Sequence, residues 1–215
     1  RDRFVSSLSV FTLVNGTKEI KQKNVNCIRE LLNLAIYDGE ILRDSWSYVL
    51  NCISKIDFMR TVGLGNVTDT EYFMSENGVN PQNQSPLNQQ LLIKNSAIIA
   101  TQIEENLIES IFLKSEKLSP EAVIYFIKNL CSISREELSD EDNLIKFSLQ
   151  KIVEVTFLNM NRVRFHWKQI WSEIGDHFTN VGSHRNLNVA IYSIDSLRQL
   201  AENFLEIEER KNFSF

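Results

Sequence analysis

Apolar residues recur at three- and four-residue intervals in one segment of this chain after another, and very little interrupts them. Such spacing gathers side chains onto one face of a helix. Seven glycines and three prolines in 215 residues are too few turn formers for a many-stranded sheet, so long helices with short connections remain. The expected class is all-α. One stretch tightens the constraint. Over 140–160, Leu144, Ile145, Phe147, Leu149, Ile152, Val153, Val155, Phe157, Leu158 and Met160 cover every helical direction, and a helix of that kind must be walled in on most sides.

Taken in order, Phe4, Val5, Leu8, Phe11 and Leu13 suit a first helix that docks onto its successors. The spacing predicts a helix from Thr17, a side-chain cap, to Asp38, with Ile20, Cys27, Ile28, Leu31, Leu32, Ala35 and Ile36 facing the core and Gly39 supplying a left-handed stop. Leu42, Trp46, Val49, Leu50, Ile53 and Ile56 then predict a helix over 41–59 that folds back on its predecessor as a hairpin. A run rich in Asn, Gln, Gly and Pro makes 61–90 a polar surface loop. Helical spacing resumes over 92–113, and Ser119-Pro120-Glu121 is a helix start with a cap, a proline at the first position and an acid at the positive end of the dipole. Ser134 with Glu137 and Ser139 with Asp142 are read as capping boxes for the next helix. The last two helices carry Val163, Trp167, Ile170, Trp171, Ile174 and Phe178, then, after an Asn186 or Asn188 cap, Ala190, Ile194, Leu197, Ala201 and Phe204.

Helix pairs at intervals near the roughly 40 to 47 residues of armadillo and HEAT units point to an α-solenoid of antiparallel pairs, with a compact helical bundle as the competing architecture. The chain is expected to be a single helical regulatory domain over 1–215, cut from a larger protein because it starts without a methionine and stops in an unfinished pattern. A net charge of -5 and a pI near 5.3 oppose general nucleic-acid binding, which needs a dominant basic field. Cys27, Cys52 and Cys131 are far apart inside apolar patterns, so they read as reduced core residues of an intracellular protein. No apolar run approaches the ~20 residues of a membrane span.

Catalytic signals are weak. His166, His177 and His184 lie at spacings that place no two imidazoles on one helical turn as metal ligands, and Asp176 beside His177 points a different way round the helix. A hydrolase built on these histidines is therefore the least supported reading; no metal and no cofactor is expected. Arg162, Arg164, Lys168, His184 and Arg185 are the one cationic concentration. They offer a contact surface for an acidic partner or anionic lipid headgroups, the alternative being a solvated face whose aliphatic stems cover apolar neighbours. Asp195 and Arg198 stand three apart, either as a local ion pair or as a bridge between helices.

Several segments carry a family likeness: WKQIWSEIGDHF from Trp167 to Phe178 with Trp171, Asp176, His177 and Phe178, then Val181-Gly182, AIYSIDSLRQL with Asp195, Ser196, Leu197, Arg198 and Gln199, and the closing Asn212-Phe213-Ser214-Phe215. Upstream, FVSSLSVFT from Phe4 and IFLKSEKLSPEAVIYFIKNLCSISREEL from Ile111 to Leu138 extend it. Together they resemble the region downstream of the exchange domain in the large Golgi Arf guanine-nucleotide exchange factors of the BIG type, the first HDS domain. The resemblance implies an armadillo/HEAT solenoid with no catalysis of its own. It also implies recruitment to trans-Golgi network membranes through GTP-loaded Arf, with positive feedback on exchange, contacts to other domains of the same factor, and a cytoplasmic, peripheral location. A purely structural spacer is the alternative.

Overall fold

The computed structural model describes residues 2–15, 18–74, 86–140 and 144–206. Among these residues there are ten α-helices, three short 3-10 turns and no strand. The helices are α1 (Asp2–Thr12), α2 (Gln22–Asp38), α3 (Trp46–Gly63), α4 (Asp69–Met74), α5 (Pro86–Gln102), α6 (Glu105–Leu113), α7 (Pro120–Ser139), α8 (Phe147–Asn159), α9 (Arg164–Gly182) and α10 (Leu187–Glu206). They pack in antiparallel pairs, as in an armadillo/HEAT-like solenoid. The capping Thr17 and Asp142 and the motif Asn212-Phe213-Ser214-Phe215 lie outside the described residues.

Helix α7 is the spine, packed against α3, α8 and α9. It begins as its sequence predicts, with Ser119 Oγ accepting from the Ala122 amide at 3.2 Å and Pro120 at the first helical position. Val123, Phe126, Ile127, Leu130 and Cys131 are buried, and each fully buried large apolar side chain contributes about 1.5–3 kcal/mol. Phe126 meets the edge of Trp46 on α3 with ring centroids 4.6 Å apart and that of Phe112 on α6 at 6.0 Å; Phe112 in turn meets Phe147 on α8 at 5.8 Å. Helix α8 is the walled-in element its composition demands, in contact with α3, α6, α7, α9 and α10, although Phe157 is left 54% exposed.

The structure departs from the sequence expectations in several places. Gly39 is right-handed (φ -51°, ψ -32°) and opens a 3-10 turn, Gly39–Ile41. What it provides is room, since a Cβ there would lie 3.0 Å from the Trp46 ring; the left-handed residue is Arg43, with φ 47°. Helices α2 and α3 touch, but the main partner of α3 is α5. Gly63 lets their backbones meet, because a Cβ would fall 2.4 Å from the Ser96 carbonyl oxygen.

The 61–90 stretch is not all loop, for α3 runs through Gly63 and α4 comes after it. Asp69 accepts from the Lys146 amide at 2.9 Å, Thr70 donates to the Leu144 carbonyl at 3.2 Å, Asn188 donates to the Phe73 carbonyl at 3.0 Å, and Phe73 is buried. The 92–113 helix breaks at Ile103 and Glu104. Arg29 and Arg60 take up the carbonyls released there, Arg29 on Gln102 at 2.8 Å and Arg60 on Ile103. Ser134 is interior to α7, and Glu137 caps α8 instead, accepting from the Ser148 amide at 2.9 Å and hydroxyl at 2.7 Å. On α1 only Val5 of the expected docking residues is fully buried, while Phe4 and Phe11 are each 62% exposed.

Helix α10 is capped by Asn186, whose Oδ1 accepts from the amides of Asn188 and Val189 at 2.9 and 3.3 Å. Its buried face is turned from the expected one, for Val189, Ala190, Ser193, Ser196 and Leu200 point inward and Ile194 is 58% exposed. Leu187, Ile191, Ile194, Ala201 and Leu205 form a second apolar stripe on the outside.

Candidate partner-binding surface

The candidate histidines, cationic residues and numbered motif residues lie on α9 and α10 or in the turns that join α8, α9 and α10. Trp167 is the hinge of their packing, stacked on Trp171 at 5.8 Å and on Phe204 of α10 at 5.6 Å. Ile170, Ile174, His177 and Phe178 continue that buried face.

The cationic set does not come together. Arg162 is consumed by the fold: its guanidinium donates to the carbonyls of Ser115, Glu116 and Leu118 at 3.0, 2.9 and 2.7 Å and to Asn159 Oδ1 at 2.5 Å. Those carbonyls belong to a 3-10 turn, Lys114–Lys117, and the residue after it, where backbone oxygens lack helical partners. Burial holds Arg162 below the ordinary arginine range, opposed by Glu116 and Glu40. Arg164 and Lys168 are exposed at the start of α9, beside Val163 and Phe165, which are 71% and 66% exposed. Arg185 is exposed in the turn beyond the far end of α9, about 30 Å away at 1.5 Å per residue.

Asp176 faces solvent while His177 is fully buried with both ring nitrogens unpartnered. Burial, helped by Arg135, pushes His177 down to about 4, so it is a neutral core residue. His184 joins helices: Nδ1 accepts from the Asn186 amide at 3.0 Å, which puts the ring proton on Nε2 facing the Leu138 carbonyl at 2.9 Å. Neither geometry suits acid–base work. Among the described residues no three His, Cys, Asp or Glu side chains converge to hold a metal ion, and no helix is long and apolar enough to cross a membrane.

On the outer side of α10, Arg198 donates to Asp195 at 2.8 and 3.0 Å and to Glu202 at 2.6 Å, and Gln199 donates to Asp195 at 2.8 Å. The pairing is local to the helix. The Arg198 and Gln199 hydrogen bonds hold the Asp195 carboxyl below its ordinary range. Ser196 is buried and bonded to the Tyr192 carbonyl at 2.8 Å, and Leu197 is half-buried. Motif residues thus divide between packing (Trp171, His177, Phe178, Ser196, Leu197) and an ordered charged surface (Asp195, Arg198, Gln199).

Two features escape sequence reasoning. Between α6, α8 and α10 lies a groove of about 350 Å³ walled by Leu113, Val153, Phe157, Leu158 and Leu200. Beneath its rim, Lys151 is gripped by Glu109 and Glu154 at 2.8 Å; burial opposes its charge, and the two carboxylates overcome that and hold it above the ordinary lysine range. The second is a larger, acid-lined cavity between α3, α5 and α7. The spacing of Leu113 and Phe157 forecasts helices but not that both stay partly bare.

An exposed apolar and charged surface thus lies over the helical stack. No family model matches the chain. Curated relatives do. It is 34% identical over 252 aligned positions to brefeldin A-inhibited guanine nucleotide-exchange protein 1 of Arabidopsis thaliana and 36% over 237 to the protein of that name in Homo sapiens. It is 34% identical over 244 positions to the ADP-ribosylation factor guanine nucleotide-exchange factor sec72 of Schizosaccharomyces pombe. Each alignment takes in 100% of this chain. The chain is related to the large Arf guanine nucleotide-exchange factors. It spans 13 to 15% of the length of these exchange-factor relatives.

Proposed function

We propose that this chain is the first HDS domain of a BIG-type Arf exchange factor, a non-catalytic regulatory module that recruits the factor to trans-Golgi network membranes by binding GTP-loaded Arf. Bound there, it promotes positive feedback on exchange. The observation that carries this reading is the match of the whole chain to exchange factors from plant, animal and fission yeast. A stack whose buried histidine is neutral and whose conspicuous arginine is a backbone cap supports it, since neither leaves a reacting group. Arg164 and Lys168, next to the bare Val163 and Phe165, are the contact residues we favour; Arg162 is withdrawn from that role.

Flotation of the chain with liposomes carrying lipid-anchored Arf tests it. Recovery with the GTP form and not the GDP form is expected, reduced by a paired charge reversal, Arg164→Glu with Lys168→Glu. Equal recovery with both nucleotides would remove the claim of active-state recognition, and no recovery with either would favour a structural spacer.

A further inference from the structure

From Leu87 to Ser119 the sequence contains no glycine or proline, and its apolar spacing is helical over 92–113. The chain nonetheless breaks between α5 and α6, where Glu104 is extended (φ -75°, ψ 134°) and gives α6 no side-chain cap. Tertiary contacts overrule the local preference. Arg60 of α3 donates to the Ile103 carbonyl and, at 3.3 Å, to the Glu105 carboxylate, while Arg29 of α2 donates to the Gln102 carbonyl at 2.8 Å. Two guanidinium groups thus serve carbonyls that a continuous helix would satisfy for itself. Beside the break lies a hollow of about 180 Å³, walled by Arg29, Asn33, Gln102, Glu104 and Leu107. Close-packed interiors resist movement, and this joint has room for it.

The joint carries one wall of the groove between α6, α8 and α10, to which α6 supplies Glu109, Phe112 and Leu113. Leu113 lies about 14 Å along α6 from Glu104, so a rotation of roughly 10° at the joint moves it by about 2.5 Å. Helix α6 is fastened to α8 by Lys151, which bridges Glu109 and Glu154, each at 2.8 Å. Glu154 shares a helix with Lys151, and the Glu109 side chain is 39% exposed. When α6 moves away, Lys151 keeps Glu154 and water takes up Glu109, so no charge is left buried alone, which is the expensive outcome of breaking an ion pair. Phe112, seated against Phe126 and Phe147, limits the amplitude and makes the open form a minor state.

We propose that residues 102–104 are a hinge on which α6 swings, widening and narrowing the groove. Arg29 and Arg60 hold the joint, and the bridge from Lys151 to Glu109 is its catch. The device uses neither Arg164 nor Lys168, so it stands or falls independently of Arf recognition.

The test is methyl relaxation dispersion by NMR on the full chain, which reads motions of microseconds to milliseconds. Exchange is expected at the methyls of Leu107, Leu113, Val153 and Leu158 and not at those of Val123, Ile127 and Leu130 in α7. Glu109→Gln, which leaves a neutral acceptor at a half-exposed position, should raise the minor population about fivefold, the weakening of one charge-assisted contact. Arg29→Gln should move the ¹³Cα shift of Glu104 toward its helical value, as the freed Gln102 carbonyl is taken up by the helix. Flat profiles at Leu113 and Leu158, equal exchange throughout α7, an unaltered minor population in Glu109→Gln, or an unmoved Glu104 shift in Arg29→Gln would each overturn the proposal.

Discussion

Replacing Arg162 by alanine separates a structural arginine from a partner-binding one. The side chain serves three carbonyls and the Asn159 amide oxygen, joining the turn after α6 to the start of α9. A hydrogen bond to a charged group is worth about 1.5–3 kcal/mol when buried. Four bonds made by one half-exposed side chain do not add, and water reaches the Glu116 carbonyl once the guanidinium is gone. The net loss expected is about 2–4 kcal/mol. For a chain of this size that lowers the thermal midpoint by roughly 5–12 °C. Urea unfolding followed by tryptophan fluorescence should show a lower midpoint at unchanged slope. Arg162→Lys, which retains charge without the planar fork, should recover less than half of the loss, and Arg164→Ala and Lys168→Ala should stay within about 0.5 kcal/mol of the parent. An Arg162→Ala variant as stable as the parent but weaker in GTP-dependent flotation would refute the reasoning.

Two buried titratable groups act in opposite directions. His177, held at about 4 against an ordinary 6.5, contributes stability above pH 6.5 that is lost as pH falls toward 4; His177→Leu should flatten that acid-side loss in urea melts at pH 5 and 7.5, and an unaltered slope would count against it. Glu137, raised by burial to about 7, contributes stability that is full below pH 4.5 and lost as pH rises through 7. Glu137→Gln should remove about 1 kcal/mol of the fall between pH 6 and pH 8, measured the same way. Gly63→Ala should destabilise by about 1–3 kcal/mol despite better helix propensity, because the methyl meets the Ser96 backbone; a gain in the thermal midpoint would show that α3 and α5 separate freely.

The helical class is legible because periodicity is a local property, and the Ser119-Pro120 start is legible because its partners are three residues away. Partnership is not local. Nothing in 41–59 says that α3 prefers α5 to α2, a choice settled by Gly63 against Ser96 across the intervening segment. Helix α10 has apolar residues enough for two faces, and which one turns inward depends on α8 and α9. Arg162 reads as surface charge in the sequence because the carbonyls it serves lie more than forty residues earlier. Glu136, Glu137 and Asp140 are plain in the sequence, but only the approach of Asn51 and Ser54 from α3 makes them the wall of a cavity.

The outer stripe of α10 has a practical consequence. A rod greasy on both sides leaves the isolated polypeptide with a strip that gains by covering itself, so its apparent melting point and hydrodynamic size should drift upward as more is placed in the tube. Dilution series, rather than single readings, are the sound basis for comparing variants of this chain.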